Sequence, residues 1–181
     1  MVQNQKTSSI QILATDENQG KAKAKSGARS QTAKTPCIGI CSSGIGDNVC
    51  RGCMRFEHEV IRWNGYSLNE RQCILDRIDS FLIQIIKNKL KLIDLKKLNS
   101  KISSLKIPCN EAWSPHRVLY ELLRLCASQI AETHSYGFRL TPEVAHLSLM
   151  EIKRDIEVEW HALSNAHYER YIAPGLMRPV V

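Results

Sequence analysis

The sequence has no apolar run long enough to span a bilayer. Its most apolar stretch, Ile78 to Ile86, carries Asp79 and Gln84 and falls short of the roughly 20 residues a membrane helix needs. The first twenty residues lack a basic start followed by an apolar core, and Asp16 and Glu17 are out of place in a transit peptide. The expectation is a cytoplasmic protein with no membrane span. P-loop, G-x-G-x-x-G, H-E-x-x-H and G-x-S-x-G patterns are all missing. The six histidines are scattered, and His161 and His167 miss the i, i+4 spacing of a shared helical face. No residue is therefore assigned a catalytic role. No segment alternates in the manner of a half-buried strand, so the fold is expected to be mostly α.

What is present suits a folded chain. Over 181 residues, 43% are hydrophobic and 24% charged, which excludes a collagen or a wholly disordered polymer. The length allows one ordinary domain or two small ones. The formal net charge of +7 points toward acidic partners such as nucleic acid, but it is unevenly placed. Residues 1–34 carry +4, residues 35–86 carry −1, residues 87–106 carry +6 and residues 107–181 carry −2. The folded modules are near neutral or acidic, and the excess belongs to a tail and one basic segment.

Seven cysteines is a high number for a chain expected in a reducing compartment, where clustered thiols read as metal ligands before disulfides. Four of them, Cys37, Cys41, Cys50 and Cys53, form C-x3-C-x8-C-x2-C within seventeen residues. Four thiolates at this spacing can converge on one tetrahedral ion. Gly39 and Gly52, one inside each pair, permit the tight turns that aim backbone N–H groups at sulfur. The metal is either zinc or an iron–sulfur cluster, since a set of four sulfur donors suits both. Arg51 and Arg55 lie beside the ligands and offset the charge of a tetrathiolate site, or else are solvated surface groups. His58 is a substitute ligand by position, though a solvent-facing place on a short helix is expected. Cys126, among Leu122, Leu123 and Ile130, reads as a buried thiol. Cys73 and Cys109 have no partner at ligand spacing.

The expected organisation is a disordered basic tail over 1–34, a four-cysteine metal-binding module with following helices over 35–86, a basic amphipathic helix or linker over 87–107, a helical domain over 108–175 and a tail over 176–181. A short helix is predicted over Phe56–Trp63. Asn64-Gly65 ends it, and Ser67 with Glu70 makes a capping box for a long helix that continues less regularly to Leu105, with Asn99-Ser100 as its break. Ser114-Pro115 and Thr141-Pro142-Glu143 are further helix starts, and a last short helix is predicted over Asn165–Ile172. The fold class is thus mostly α: a small four-cysteine metal-bound loop module, a long helix and a C-terminal three-helix unit.

Two resemblances add to this reading. Thr35-Pro36-Cys37-Ile38-Gly39-Ile40-Cys41, Cys50-Arg51-Gly52-Cys53, Glu59, Trp63 and the Glu70-Arg71 helix resemble a family of short bacterial proteins of unknown function described as predicted iron–sulfur proteins. The resemblance covers residues 35–82 and implies that Cys37, Cys41, Cys50 and Cys53 hold a cluster. It implies no reaction. Ser148 to Trp160, with Leu163-Ser164 and Tyr171, is similar to the second and third helices of an HMG box over residues 114–172. That implies DNA bending, whereas a plain three-helix bundle with Trp160 in its core accounts for the same residues.

The basic segment holds Lys87, Lys89, Lys91, Lys96, Lys97 and Lys101 beside Leu90, Leu92, Leu95 and Leu98. Such a helix either follows a phosphate backbone or places its lysines on the outer face of a packed helix. The resulting expectation is a non-catalytic metal-binding protein, its ion held by four cysteines, that binds a protein partner or nucleic acid. The alternative is an iron–sulfur electron carrier or redox sensor.

Overall fold

A computed structural model describes residues 35–110 and 113–176. The expected tail over 1–34 and residues 177–181 lie outside the described residues. The described part is mostly helical, as the periodicity indicates. Phe56 precedes α1 (Glu57–Ile61), and its amide donates to the Glu59 carboxylate at 2.9 Å. A 3-10 turn over Trp63–Gly65 follows. Helix α2 (Leu68–Lys89) starts at the expected box: Ser67 Oγ accepts from the Glu70 amide, and Glu70 reaches back to the Ser67 amide at 2.7 Å. Each such cap satisfies orphan donors of the first turn and is worth about 1 kcal/mol.

The long helical pattern breaks earlier than Asn99-Ser100. Helix α2 stops at Lys89, and Leu90–Leu92 is a short strand, β1, antiparallel to β2 (Phe138–Leu140). Asp94 caps α3 (Leu95–Ser104), its side chain accepting from the Lys97 amide. Strands this short carry no readable alternation. They form because Leu90 and Phe138 are both buried in the core, and because the Gly137 carbonyl accepts from both the Ile93 and Asp94 amides at 2.9 Å. Gly137 has φ +80°, and a Cβ there would collide with the Asp94 carbonyl, so glycine is needed for both reasons.

Helix α4 (Pro115–Cys126) begins at Ser114-Pro115 as expected, with Ser114 accepting from the Arg117 amide. The second Pro-marked start differs: Pro142–Val144 makes only one 3-10 turn, and α5 (Leu149–His167) begins at a capping box of Ser148 and Glu151. Beyond His167 the helix passes through a π-turn (Tyr168–Ile172) into α6 (Ala173–Leu176).

Helices α2, α4 and α5 share one core of Ile78, Leu82, Ile86, Leu119, Leu122, Leu123, Ile152, Ile156 and Trp160, and Met54 of the cysteine segment joins it. This core is continuous across the stretches read as separate modules. Trp160 is 3% exposed and donates Nε1–H to the Ile78 carbonyl at 3.1 Å. An ionic cluster ties α2 to α4: Arg117 meets Asp79 at 3.1 Å and Glu121 at 3.4 Å, and Glu121 holds Arg124 at 2.7 Å. Among the described residues, no helix is long and apolar enough to cross a membrane.

Candidate metal centre

The second cysteine pair sits at the tip of a small hairpin. Val49 bridges Phe56 in antiparallel fashion, the Glu57 amide donates to the Asn48 carbonyl at 2.9 Å, and the Cys50 amide donates to the Arg55 carbonyl at 2.8 Å. The Met54 amide closes the turn on the Cys50 carbonyl, also at 2.8 Å, with Met54 at φ +57°. The turn is anchored below by the apolar residues beside it: Val49, Cys50, Met54 and Phe56 are each 2% exposed or less. Apolar burial of these residues anchors the base of the turn to the rest of the fold.

The first pair lies on the facing segment. Gly39 has φ +88°, which turns its amide toward Cys37 Sγ at 3.5 Å. The expectation of conformational freedom holds at Gly39 only. Gly52 has no left-handed backbone, and its role is closeness: a Cβ there would strike the Ile40 carbonyl. The Cys50 thiol donates to that same carbonyl at 3.7 Å. Buried Ser42 completes the junction, its hydroxyl accepting from the Arg51 amide at 2.8 Å. Two loops, one from each cysteine pair, are thus held face to face.

The four thiols occupy this junction unequally. Cys50 and Cys53 are buried and Cys37 and Cys41 are exposed. Cys50 and Cys53 lie together in the C-x2-C turn, and Cys41 Sγ contacts Ser43 Oγ at 3.1 Å. Burial pushes the Cys50 thiol up, but hydrogen bonds from the backbone of Ser42, Gly52 and Cys53 outweigh it and bring the group down to about 7. Burial also pushes Cys53 up, and there it wins against the hydrogen bond from Arg55. Among the described residues, no three His, Cys, Asp or Glu side chains already stand in a metal-holding group. The donor chemistry fits a thiophilic ion, with one pair gathered and the other displayed opposite it.

The arginines differ from each other. Arg51 is exposed and pairs with Asp47 at 2.9 Å, which holds the Asp47 carboxyl below its usual range. Arg55 is 3% exposed. Its Nε donates to Cys53 Sγ at 3.3 Å, and its guanidinium lies 4.7 Å from the centroid of the Trp63 ring. The reading of Arg55 as a solvated group is therefore corrected. It is buried because the hairpin folds it inward between Cys53 and Trp63. His58 is half-buried on α1, with its ring 5.9 Å from Phe56.

Sequence reasoning missed two neighbours. Arg77 of α2 lies 2.7 Å from Glu59 and 3.7 Å from the Phe56 ring centroid. His161 of α5 meets the Val49 carbonyl through Nε2 at 3.1 Å. Neither has a spacing relative to the cysteines that could have revealed it, since the helices that carry them arrive from elsewhere in the chain.

Residues 35–81 match the model of a family described as a protein of unknown function, DUF1289. The match covers the cysteine hairpin, α1 and most of α2, and stops before β1. Comparison with curated proteins and with solved structures found no match.

The lysines divide among three elements instead of lining one helix. Lys87 and Lys89 belong to α2, Lys91 to β1, and Lys96, Lys97 and Lys101 to α3. Lys87, Lys91, Lys96 and Lys97 are exposed. Lys89 is committed to Glu159 at 2.8 Å, and Lys101 lies over the Tyr136 ring at 5.0 Å. Arg139, paired in register with Lys91 across the ribbon, adds a further exposed cation.

Proposed function

We propose that this is a non-catalytic metal-binding protein whose four-cysteine centre staples the N-terminal hairpin, and that the molecule acts as a binding module. Cys37, Cys41, Cys50 and Cys53 are the ligands, with Gly39, Gly52, Arg51 and Arg55 shaping the turns and charge around them. The observation that carries this reading is Arg55. A guanidinium stays protonated, and burying an unpaired cation costs several kcal/mol. Arg77 has Glu59, but no carboxylate among the described residues forms an ion pair with Arg55. Its hydrogen-bond acceptor is sulfur, a weak acceptor as a thiol. Four thiolates on a divalent ion carry about −2, which supplies the counter-charge that Arg55 lacks.

Exposed Lys87, Lys91, Lys96 and Lys97 favour a phosphate backbone as partner over a neutral surface. A second reading, an iron–sulfur electron carrier or redox sensor, draws support from the N–H donors aimed at Cys37 and Cys53, which tune cluster potentials. Anaerobic purification followed by zinc and iron analysis tests both. One zinc in a colourless protein supports the structural centre. A brown protein that bleaches on reduction supports the cluster. Metal content unchanged in Cys37→Ser and Cys50→Ser defeats the site altogether.

A further inference from the structure

Two separate cores exist in the described part. The main one joins α2, α4 and α5. The small one contains only Val49 and Phe56 from the cysteine hairpin and Tyr168 from the π-turn, with Ile172 and Ala173 packed on it. Neither contributor can form this core alone. Val49 and Phe56 flank the C-x2-C turn, and the end of α5 supplies what covers them.

The contacts are specific. Tyr168 meets Phe56 edge-on with ring centroids 5.2 Å apart, and His167 stacks on Phe56 at 6.1 Å and meets Phe81 edge-on at 5.2 Å. His161, itself bonded to Asn165 at 3.1 Å, touches the carbonyl of Val49, the residue immediately before Cys50. Much of the rest of this segment is exposed: Tyr171, within the π-turn, is 61% exposed, and Leu176 at the end of α6 is 59% exposed. Segments with few buried apolar contacts open at low free-energy cost, and π-turns interrupt helices at functional positions.

We infer that Tyr168–Leu176 is a latch coupled to the cysteine centre: it docks on Val49 and Phe56 when the hairpin is ordered by metal and releases when metal leaves. The inference rests on the metal reading above. Metal binding at such a site orders the hairpin, and any event that orders Val49 and Phe56 strengthens the surface Tyr168 packs on. Linkage makes the effect reciprocal, so docking of the latch must raise metal affinity by the same factor. A segment outside residues 35–81 thereby sets how tightly the four cysteines hold the ion.

The test is hydrogen exchange of the full chain in three states: as isolated anaerobically, stripped by chelator, and reloaded with Zn(II). Protection over 168–176 is expected to fall on stripping and return on reloading, while protection in α4 stays constant. Unchanged protection over 168–176 alongside a measured loss and return of metal overturns the latch and leaves the metal reading standing. Failure of the protein to hold any metal overturns the metal reading and the latch with it. In full-length protein, Tyr168→Ala is expected to lower zinc affinity about tenfold in a chelator competition, and Leu125→Ala, an exposed change on α4, is expected to leave it unaltered. Equal affinities for Tyr168→Ala and the unchanged protein also overturn the latch.

Discussion

Glu59 and Arg77 form a buried ion pair at 2.7 Å, and the same carboxylate oxygen takes the Phe56 amide at 2.9 Å. One side chain thus caps α1, holds α2 against the hairpin and neutralises a guanidinium. Glu59→Ala should remove all three and leave Arg77 unpaired. A loss of about 3 kcal/mol is expected, read as a lower midpoint in urea denaturation. Glu59→Gln, which keeps the cap but not the charge, should fall between the two.

Arg55 provides the sharpest check on the cysteine centre. Arg55→Met keeps much of the side-chain volume and removes the N–H donor to Cys53. Metal affinity should drop about 10–100-fold, the range seen when partners of metal ligands are removed. Arg51→Met, whose parent is exposed and bound only to Asp47, should change affinity far less. Competition against a chromophoric chelator compares the two.

Gly52 and Gly44 differ in what a methyl group would meet. At Gly52 it strikes the Ile40 carbonyl, whereas at Gly44 nothing lies within 4 Å. Gly52→Ala is expected to cost about 1–3 kcal/mol through forced backbone movement and to weaken metal retention. Gly44→Ala should stay within about 0.5 kcal/mol. Thermal unfolding with parallel metal analysis distinguishes them.

Burial, followed by the nearby Arg77 charge, holds the His167 imidazole below its ordinary 6.5. A base with a depressed folded-state pKa binds fewer protons in the native state than in the unfolded one. Stability therefore falls as pH drops through 6.5 toward the folded-state value. The stability difference between pH 7.5 and 5.5 should be smaller in His167→Asn than in the unchanged protein, with urea titrations at both pH values as the measurement.

The exposed cations make a prediction about partners. Binding to duplex DNA or RNA should decline linearly in log–log plots against salt, with about 0.9 lost from the slope per phosphate contact removed. Lys91→Glu, Lys96→Glu and Lys97→Glu combined should abolish that binding without unfolding the protein. Lys89→Ala should do the opposite, leaving binding intact and lowering stability, because Lys89 is held by Glu159. Fluorescence anisotropy across a salt series reads the first effect and thermal melts read the second.

Local chemistry was legible in the chain itself. Ser67 with Glu70 and Ser114 with Pro115 announce helix starts, because caps act over three or four residues and leave a sequence signature. The apolar spacing from Ile78 to Ile85 announces a buried helical face for the same reason. The four cysteines likewise lie within seventeen residues, so their arrangement on two facing loops follows from short-range spacing. What failed was the interpretation of features whose partner is distant. Arg55 read as either a neighbour of the cysteines or a solvated group, because Trp63 and the hairpin turn that enclose it leave no periodicity. The basic stretch read as one helix because β1 exists only through β2, nearly fifty residues later.

The sequence by itself determined that the chain is mostly helical, where α1, α2 and α4 begin, and that four cysteines lie within seventeen residues, because each depends on residues a few positions apart. Tertiary structure alone decided that α2, α4 and α5 share a single core, that Arg77 and His161 stand beside the cysteine hairpin, and that the end of α5 covers Val49 and Phe56. Those relationships arise from burying apolar faces against one another. Burial is non-directional, so it leaves no mark of which distant face will be chosen.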